Sequence, residues 1–125
     1  MQRFDPNDVG DFNNYILDLA EVSDPGIYEV ILDLLEQPTF KDRKAALIYA
    51  LQNYPSRPLF EKAVGWVLTG GYEVANEAFT IVENTEVVDS DIMDRVKNKI
   101  QITLETEMLP DWKIELLEWI VDAYE

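Results

Sequence analysis

The sequence predicts an all-α protein, arranged as a short right-handed α-solenoid of about three helix pairs, or about seven helices. Three observations support this prediction. Apolar residues recur at helical spacing, Pro and Gly separate the segments, and two neighbouring helices recur together at a fixed period. The chain has 125 residues, of which 47% are hydrophobic, so it is long enough to bury a core. We therefore expect a single domain spanning residues 1–125.

The expected helices follow from apolar spacing and from signals at helix ends. We place them in order at about 8–22, 25–37, 40–53, 58–69, 72–84, 90–105 and 110–124. Pro25 stands at the first position of the second helix, where its missing N–H costs nothing. We expect Gly70 and Gly71 to end the fourth helix through a left-handed C-cap. Asp89 or Ser90 is expected to cap the sixth helix.

Two of the predicted helices repeat. The second and fourth align at an offset of 33 residues, with Pro25 falling on Pro58, and the third and fifth align at 32, with Ala46 falling on Ala78. Helix pairs that recur at a short fixed period are typical of an α-solenoid, in which each pair buries its apolar face against its neighbours. An ordinary helical bundle with coincidental spacing is the alternative.

The charge of the chain indicates the kind of partner. There are 25 acidic and 10 basic residues, for a net charge of −15. Such a chain repels phosphate, which disfavours direct binding to nucleic acid or to an anionic membrane and favours a basic protein partner. The plainer interpretation is that the acidity only keeps the protein soluble. With no apolar run long enough to cross a membrane, no apolar N-terminal signal and no Cys, we expect a cytoplasmic protein.

Residue types argue against catalysis. The chain contains no His and no Cys, so it lacks the most common general base, the thiol nucleophile and the nitrogen and sulfur metal ligands. The segment 89–94 (DSDIMD) lacks the Gly and the closing Glu of a calcium loop. Gly70-Gly71 lacks the Lys of a phosphate-binding loop. We expect no enzyme, no catalytic residues, no metal and no cofactor.

The last predicted helix has the sharpest candidate surface. Its acidic residues advance by 4, 3, 4 and 3 positions, which keeps them within about 40° of one line along the helix; they are Asp111, Glu115, Glu118, Asp122 and Glu125. Trp112 and Trp119 border this line, and aromatic residues beside charges are common in binding hot spots. The alternative is a solvated face with two half-buried core Trp residues.

The fifth predicted helix offers a second acidic surface. In solenoids the second helix of each pair usually lines the binding side, so the third, fifth and seventh helices would share it. The candidate partner-binding residues on these three helices are Tyr49, Asn53, Tyr72, Glu73, Asn76, Glu77, Glu83, Asp111, Trp112, Glu115, Glu118, Trp119 and Asp122. A solvated polar surface with no partner is again the alternative.

Two stretches carry a resemblance to a known family. Residues 42–51 (DRKAALIYAL) are similar to the second helix of a HEAT repeat, and residues 72–79 (YEVANEAF) look like the next such helix. More narrowly, residues 47–84 resemble the small HEAT-like immunity proteins with which bacteria neutralise toxins of contact-dependent inhibition and related polymorphic toxin systems.

This resemblance covers about a third of the chain, and it implies a function. The expected protein is a monomer that binds the C-terminal domain of a cognate toxin in a 1:1 complex and neutralises it by occlusion. From the charge, the toxin domain is expected to be basic and of the nuclease type. The alternative is a HEAT-type adaptor or assembly factor that binds another basic protein.

Overall fold

A computed structural model describes residues 25–37 and 43–124, and within these ranges all regular structure is helical. In chain order the helices are α1 Pro25–Leu35, α2 Lys44–Leu51, α3 Phe60–Thr69, α4 Tyr72–Glu83, α5 Ser90–Thr106 and α6 Asp111–Ala123, with a 3-10 turn at Arg57–Leu59 leading into α3. The all-α class is therefore confirmed. Six of the seven predicted helices lie in the described ranges, and the one predicted at 8–22 lies outside them.

The chain divides into two compact units, residues 1–54 and 55–125. In the first unit α1 packs on α2, and the rings of Tyr28 and Tyr54 lie 5.2 Å apart. Ile27 and Ile31 are the buried residues of α1. Val30 lies at the edge of the same apolar stripe, since each residue turns the helix by 100°, and it is 41% exposed.

The second unit consists of two helical hairpins. A two-residue connection joins α3 to α4, and residues 107–110 join α5 to α6. α3 packs on α4, α5 and α6, while α4 and α5 also pack on α6. The apolar stripes meet in a common core, whose buried side chains include Phe60, Val64, Val67, Ala78, Ile81, Val82, Val96, Ile100, Leu117 and Ile120. The members of this core on α3, α4 and α6 lie at positions that helical spacing predicts to face inward, while Val96 and Ile100 belong to α5.

Two ion pairs show that α3 and α5 run in the same direction. Arg57, just before α3, donates from Nη2 to Oδ1 of Asp89 at 2.8 Å, and Asp89 directly precedes α5. Further along both helices, Arg95 makes a two-pronged contact with Glu61 at 2.9 and 3.0 Å. The Arg95 guanidinium lowers the pKa of the Glu61 carboxyl. Since both pairs are exposed, they align the helices more than they stabilise them.

Ring contacts show that α4 and α6 also run in the same direction. Tyr72 pairs with Trp112 at the start of the two helices, and Phe79 pairs with Trp119 two turns later. Because both contacts advance by seven residues on each helix, α4 and α6 are parallel and in register. The second unit thus has two layers of parallel helices, α3 with α5 and α4 with α6, connected by the hairpins.

The turn between α3 and α4 differs from the prediction. Gly70 and Gly71 have φ angles of −82° and −73°, so the expected left-handed C-cap is wrong. Gly70 is instead required by space. A Cβ at this position would lie 2.5 Å from Cγ1 of Val74 and 2.7 Å from the carbonyl oxygen of Trp66. The backbone approaches the first turn of α4 so closely that it leaves no room for a side chain.

The start of α5 also differs in part from the predicted N-cap. Asp89 occupies the N-cap position with extended backbone angles, and its carbonyl accepts a hydrogen bond from the Met93 N–H at 2.9 Å. Its side chain makes no capping hydrogen bond. The Asp89 carboxylate pairs with Arg57 instead, because a charged donor is a stronger partner than a backbone N–H.

The two glycines of the turn provide a matched test of close packing. Gly70→Ala should lower the free energy of unfolding by about 1–3 kcal/mol, because the new methyl group overlaps Val74 and the Trp66 carbonyl. Gly71→Ala should stay within about 0.5 kcal/mol of the parent, since nothing lies within 4 Å of its Cβ position. Urea unfolding followed by far-UV circular dichroism measures both. Equal effects of the two substitutions would contradict the packing explanation.

Candidate protein-binding site

The centre of the candidate site is a row of four rings between α4 and α6, which we name the aromatic seam: Tyr72, Phe79, Trp112 and Trp119. The Tyr72 and Trp112 ring centroids lie 5.3 Å apart at 82°, and those of Phe79 and Trp119 lie 5.0 Å apart at 75°. Such edge-to-face pairs hold the rings in defined orientations. Tyr72 is 63% exposed and Trp119 is 42% exposed, so these two rings of the seam are open to solvent.

The seam arises from the same pattern on both helices. Each helix carries an aromatic residue near its first position and another seven residues later, and seven residues return to nearly the same side of an α-helix. The structure therefore brings three predicted site residues together: Tyr72, Trp112 and Trp119. Phe79 was missed as a site residue, although its spacing from Tyr72 equals the spacing of the two tryptophans.

Carboxylates flank the seam on both sides. On α6 the predicted acidic line is exposed; its described members are Asp111, Glu115, Glu118 and Asp122. On α4, Glu73 and Glu83 are exposed, while Asn76 and Glu77 are half-buried. No salt bridge within the described residues joins the acidic line of α6 to a basic side chain.

The amide of Asn76 has a local role. Its Nδ2 donates to the carbonyl oxygen of Tyr72 at 2.7 Å, and the Thr80 hydroxyl donates to the carbonyl of Asn76. Both side chains therefore bond to the backbone of their own helix. The exposed side chains of α4 beside the seam are the Tyr72 ring and the carboxylates of Glu73 and Glu83.

The two layers of the second unit differ in charge. The α3 and α5 helices carry four carboxylates and four basic groups, namely Glu61, Asp91, Asp94 and Glu105 with Lys62, Arg95, Lys97 and Lys99. The α4 and α6 helices carry seven carboxylates and one lysine, namely Glu73, Glu77, Glu83, Asp111, Glu115, Glu118 and Asp122 with Lys113. Since Lys113 is buried, the exposed charges on these two helices are all negative.

Lys113 holds the first turn of α6 in place. Its Nζ donates to the carbonyl oxygens of Leu68 at 3.0 Å and Gly70 at 2.8 Å, which are free acceptors at the C-terminal end of α3. The same ammonium group lies 5.4 Å from the centroid of the Trp112 ring. Lys113 is only 7% exposed, and this burial lowers its pKa.

This role of Lys113 could have been found in the sequence. Lys113 is four residues before Leu117, and Leu117 is three before Ile120, so the lysine continues the buried line of α6. A lysine on a core line must have acceptors for its ammonium group. Which carbonyls supply them depends on the packing of α3 against α6.

Tyr124 anchors the C-terminal end of α6 through hydrogen bonds. Its hydroxyl donates to the carbonyl oxygen of Val82, in the last turn of α4, at 2.8 Å. The hydroxyl also contacts the carbonyl of Thr85, which follows that helix. Its ring packs edge-on against Phe60, with centroids 5.2 Å apart. Burial raises the pKa of the Tyr124 hydroxyl. Both ends of α6 are therefore tied to the α3–α4 hairpin, which fixes the register of the seam.

Glu118 and Asp122 also line a groove on the other side of α6. Gln101 and Leu104 of α5 form the opposite wall, and the groove has a volume of about 210 Å³. The acidic line of α6 is thus bordered by the seam on one side and by this groove on the other.

The remaining two predicted site residues belong to the first unit. Tyr49 of α2 is 54% exposed, and the Asn53 amide donates to the carbonyl oxygen of Ala50 at 3.1 Å. That α2 shares a surface with α4 and α6 stays a prediction.

Within residues 25–37 and 43–124, no three acidic side chains converge as metal ligands do. No helix in the described part of the chain is long and apolar enough to cross a membrane. Comparison of the chain with protein-family models, with curated proteins and with solved structures finds no match.

The lysine at the start of α6 can be tested by removing its charge. Lys113→Met should lower the free energy of unfolding by about 1–3 kcal/mol, because two part-buried carbonyls lose a charged donor. Lys62→Met, at an exposed position of α3, is the control and should change stability by less than about 0.5 kcal/mol. Urea unfolding measures both. Equal stability of the Lys113→Met variant and the parent would show that these two hydrogen bonds do not stabilise the fold.

The lowered pKa of Lys113 predicts a pH dependence. Because its pKa in the folded chain lies below the ordinary value of 10.5, the unfolded state binds more protons in the interval between the two values. The free energy of unfolding therefore gains a contribution as pH rises toward 10.5, and this contribution is lost again as pH falls through the lowered pKa. Lys113→Met abolishes it. The stability difference between parent and variant should thus widen as the pH rises toward 10.5, and a constant or shrinking difference would contradict the assignment.

Proposed function

We propose that this chain is an immunity protein that acts in the cytoplasm, where it binds a basic, nuclease-type toxin domain through the face of α4 and α6 and neutralises it by occlusion. The observation that supports this most directly is the segregation of charge. Negative charge is concentrated on one layer of the second unit, while the other layer is balanced. Solubility alone requires no such segregation.

The charge would act first on the rate of encounter. A one-sided negative field attracts and orients a cationic partner, which speeds association and makes it sensitive to salt. A nuclease needs a positive cleft to hold the phosphates of its substrate. The seven carboxylates of α4 and α6 present the same sign of charge as those phosphates, so the face competes with nucleic acid for the cleft.

The aromatic seam would then slow release. Rigid aromatic side chains provide apolar contact area with little loss of conformational freedom, and they are frequent at the centres of interfaces. Tyr72 and Trp119 are exposed and held by their ring partners before any partner arrives. The surrounding carboxylates would form the polar rim.

The solenoid is part of the same proposal. In a short right-handed HEAT-like array, the first helices of successive pairs run parallel in one layer and the second helices run parallel in the other. The parallel α3–α5 and α4–α6 layers of the second unit support this arrangement. Tyr49 and Asn53 of the first unit stay candidate binding residues under this proposal.

A HEAT-type adaptor or assembly factor is the second candidate. The same acidic and aromatic face suits any basic protein, and the resemblance to HEAT repeats is shared by both functions. The two functions differ in their effect on the activity of the partner. An immunity protein abolishes the activity of its partner, whereas an adaptor leaves it intact.

The proposed face is tested by charge reversal with a matched control. The probe is the toxin domain that this proposal expects to be encoded beside the gene, with nuclease activity and association rate measured between low and high salt. The chain should suppress the nuclease. Glu115→Lys, Glu118→Lys and Asp122→Lys together should slow association at least about tenfold at low salt and release nuclease activity, while leaving helicity unchanged.

The control reverses three exposed carboxylates with similar spacing on and just after α1: Glu29, Asp33 and Glu36. This variant has the same net charge as the first, so a field effect from overall charge alone would affect both equally. The proposed face requires that only the α6 variant lose suppression. Equal loss in both variants would reject the site, and a nuclease that stays active with the parent chain bound would favour the adaptor.

A further inference from the structure

The two tryptophans of α6 have different surroundings although they share one side of the helix. Trp112 is half-buried and has the Lys113 ammonium group 5.4 Å from its ring centroid. The residue that follows Trp119 is Ile120, which is fully buried. Among the described residues no lysine or arginine lies over the Trp119 ring. Trp112 thus interacts with a cation of its own chain, while the similarly held Trp119 remains open to solvent.

Three carboxylates of α6 lie beside Trp119. Glu115 lies four residues before it and Asp122 three residues after it, so both stand next to the indole on the helix surface, about 5–6 Å away between Cβ atoms. Glu118 is adjacent in sequence, and all three are exposed. The edge-to-face contact with Phe79 fixes the plane of the indole ring. An exposed aromatic ring that is held in a defined orientation and bordered by carboxylates is suited to a cation.

We propose that Trp119, Glu115 and Asp122 form the binding site for one arginine side chain of the partner. This inference rests on the proposed function only in taking the partner to be a basic protein. The guanidinium group would stack on the indole ring while its N–H groups donate to the carboxylates of Glu115 and Asp122. The occupant is an arginine on the surface of the partner, inserted beside the Phe79–Trp119 pair.

Arginine fits this arrangement better than lysine. A planar guanidinium stacks on an aromatic face and keeps its in-plane donors available, so it satisfies the ring and both carboxylates at once. An ammonium group is a point charge with a tightly held hydration shell, and it gains less from the indole face. The Lys113–Trp112 contact is not a counter-example, because its ammonium group is directed by two carbonyl acceptors.

The test uses the full chain and three pentapeptides, each with one central residue between glycines and with blocked ends. The central residues are arginine, lysine and citrulline, the last being a neutral analogue of arginine with the same planar end group. With ¹⁵N-labelled protein, the indole N–H signals of Trp66, Trp112 and Trp119 report the site of binding. At fixed ionic strength the arginine peptide should shift the Trp119 signal and leave Trp66 unaffected, with weaker binding of lysine and none of citrulline.

Variants identify the groups involved. Trp119→Leu should weaken arginine-peptide binding by about 5- to 30-fold. Glu115→Gln with Asp122→Asn should weaken it by a similar factor, whereas the matched pair Glu29→Gln with Asp33→Asn on α1 should have no effect. Equal affinity for the arginine and lysine peptides, equal shifts at all three indoles, or equal loss in the α1 control would each overturn the arginine site.

The same variants separate this site from the function. If the toxin domain is neutralised and neutralisation survives both Trp119→Leu and the Glu115/Asp122 double substitution, the arginine site is wrong and the immunity function stands. If the arginine peptide binds at Trp119 but the toxin domain stays active and unbound, the site stands and the immunity function is wrong.

Discussion

The ammonium group of Lys113 lies where the end of α3, the turn into α4 and the start of α6 meet, and the geometry of the second unit depends on it. Burying a lysine is unfavourable unless its charge finds acceptors. Here the acceptors are carbonyls of Leu68 and Gly70, which need donors because a helix ends there. One side chain therefore satisfies the end of α3, anchors α6 and lies beside Trp112. With Tyr124 fastening the opposite end of α6, the helix cannot slide along α4 without breaking hydrogen bonds at one end or the other.

That fixed register positions the aromatic seam. The pairs Tyr72–Trp112 and Phe79–Trp119 form because α4 and α6 begin at the same level and run in the same direction. A shift of one residue on either helix would turn its rings by 100° and separate both pairs. The seam is thus a consequence of backbone tethers at the helix ends, and its exposed rings are oriented before a partner binds.

The exposed rings of the seam lie beside carboxylates that repel one another. Carboxylates spaced by three or four residues repel one another and each such pair costs a helix a few tenths of a kcal/mol, so the acidic line of α6 weakens the fold slightly. The layer of α3 and α5 avoids this cost through ion pairs such as Arg95–Glu61, whereas the layer of α4 and α6 does not. An arrangement that leaves repulsion on one face only is expected where a cationic partner relieves it. This is the physical basis of the proposed immunity function and of the arginine site at Trp119.

Local pattern in the sequence was sufficient to predict the all-α class and the positions of six helices to within a few residues. It also predicted the buried stripes of α3, α4 and α6 and the exposed acidic line of α6. All of these features depend on the 3.6-residue period and on helix-end signals. Local pattern was insufficient where the outcome depends on contacts between distant segments. Gly70 is glycine because Val74 and Trp66 approach it, and the Asp89 carboxylate leaves its own helix for Arg57. The partner of Lys113 and the pairing of Phe79 with Trp119 likewise depend on which helices pack together and in which direction. Only the tertiary structure decides these, since helical period places a side chain on a face but does not determine what that face meets.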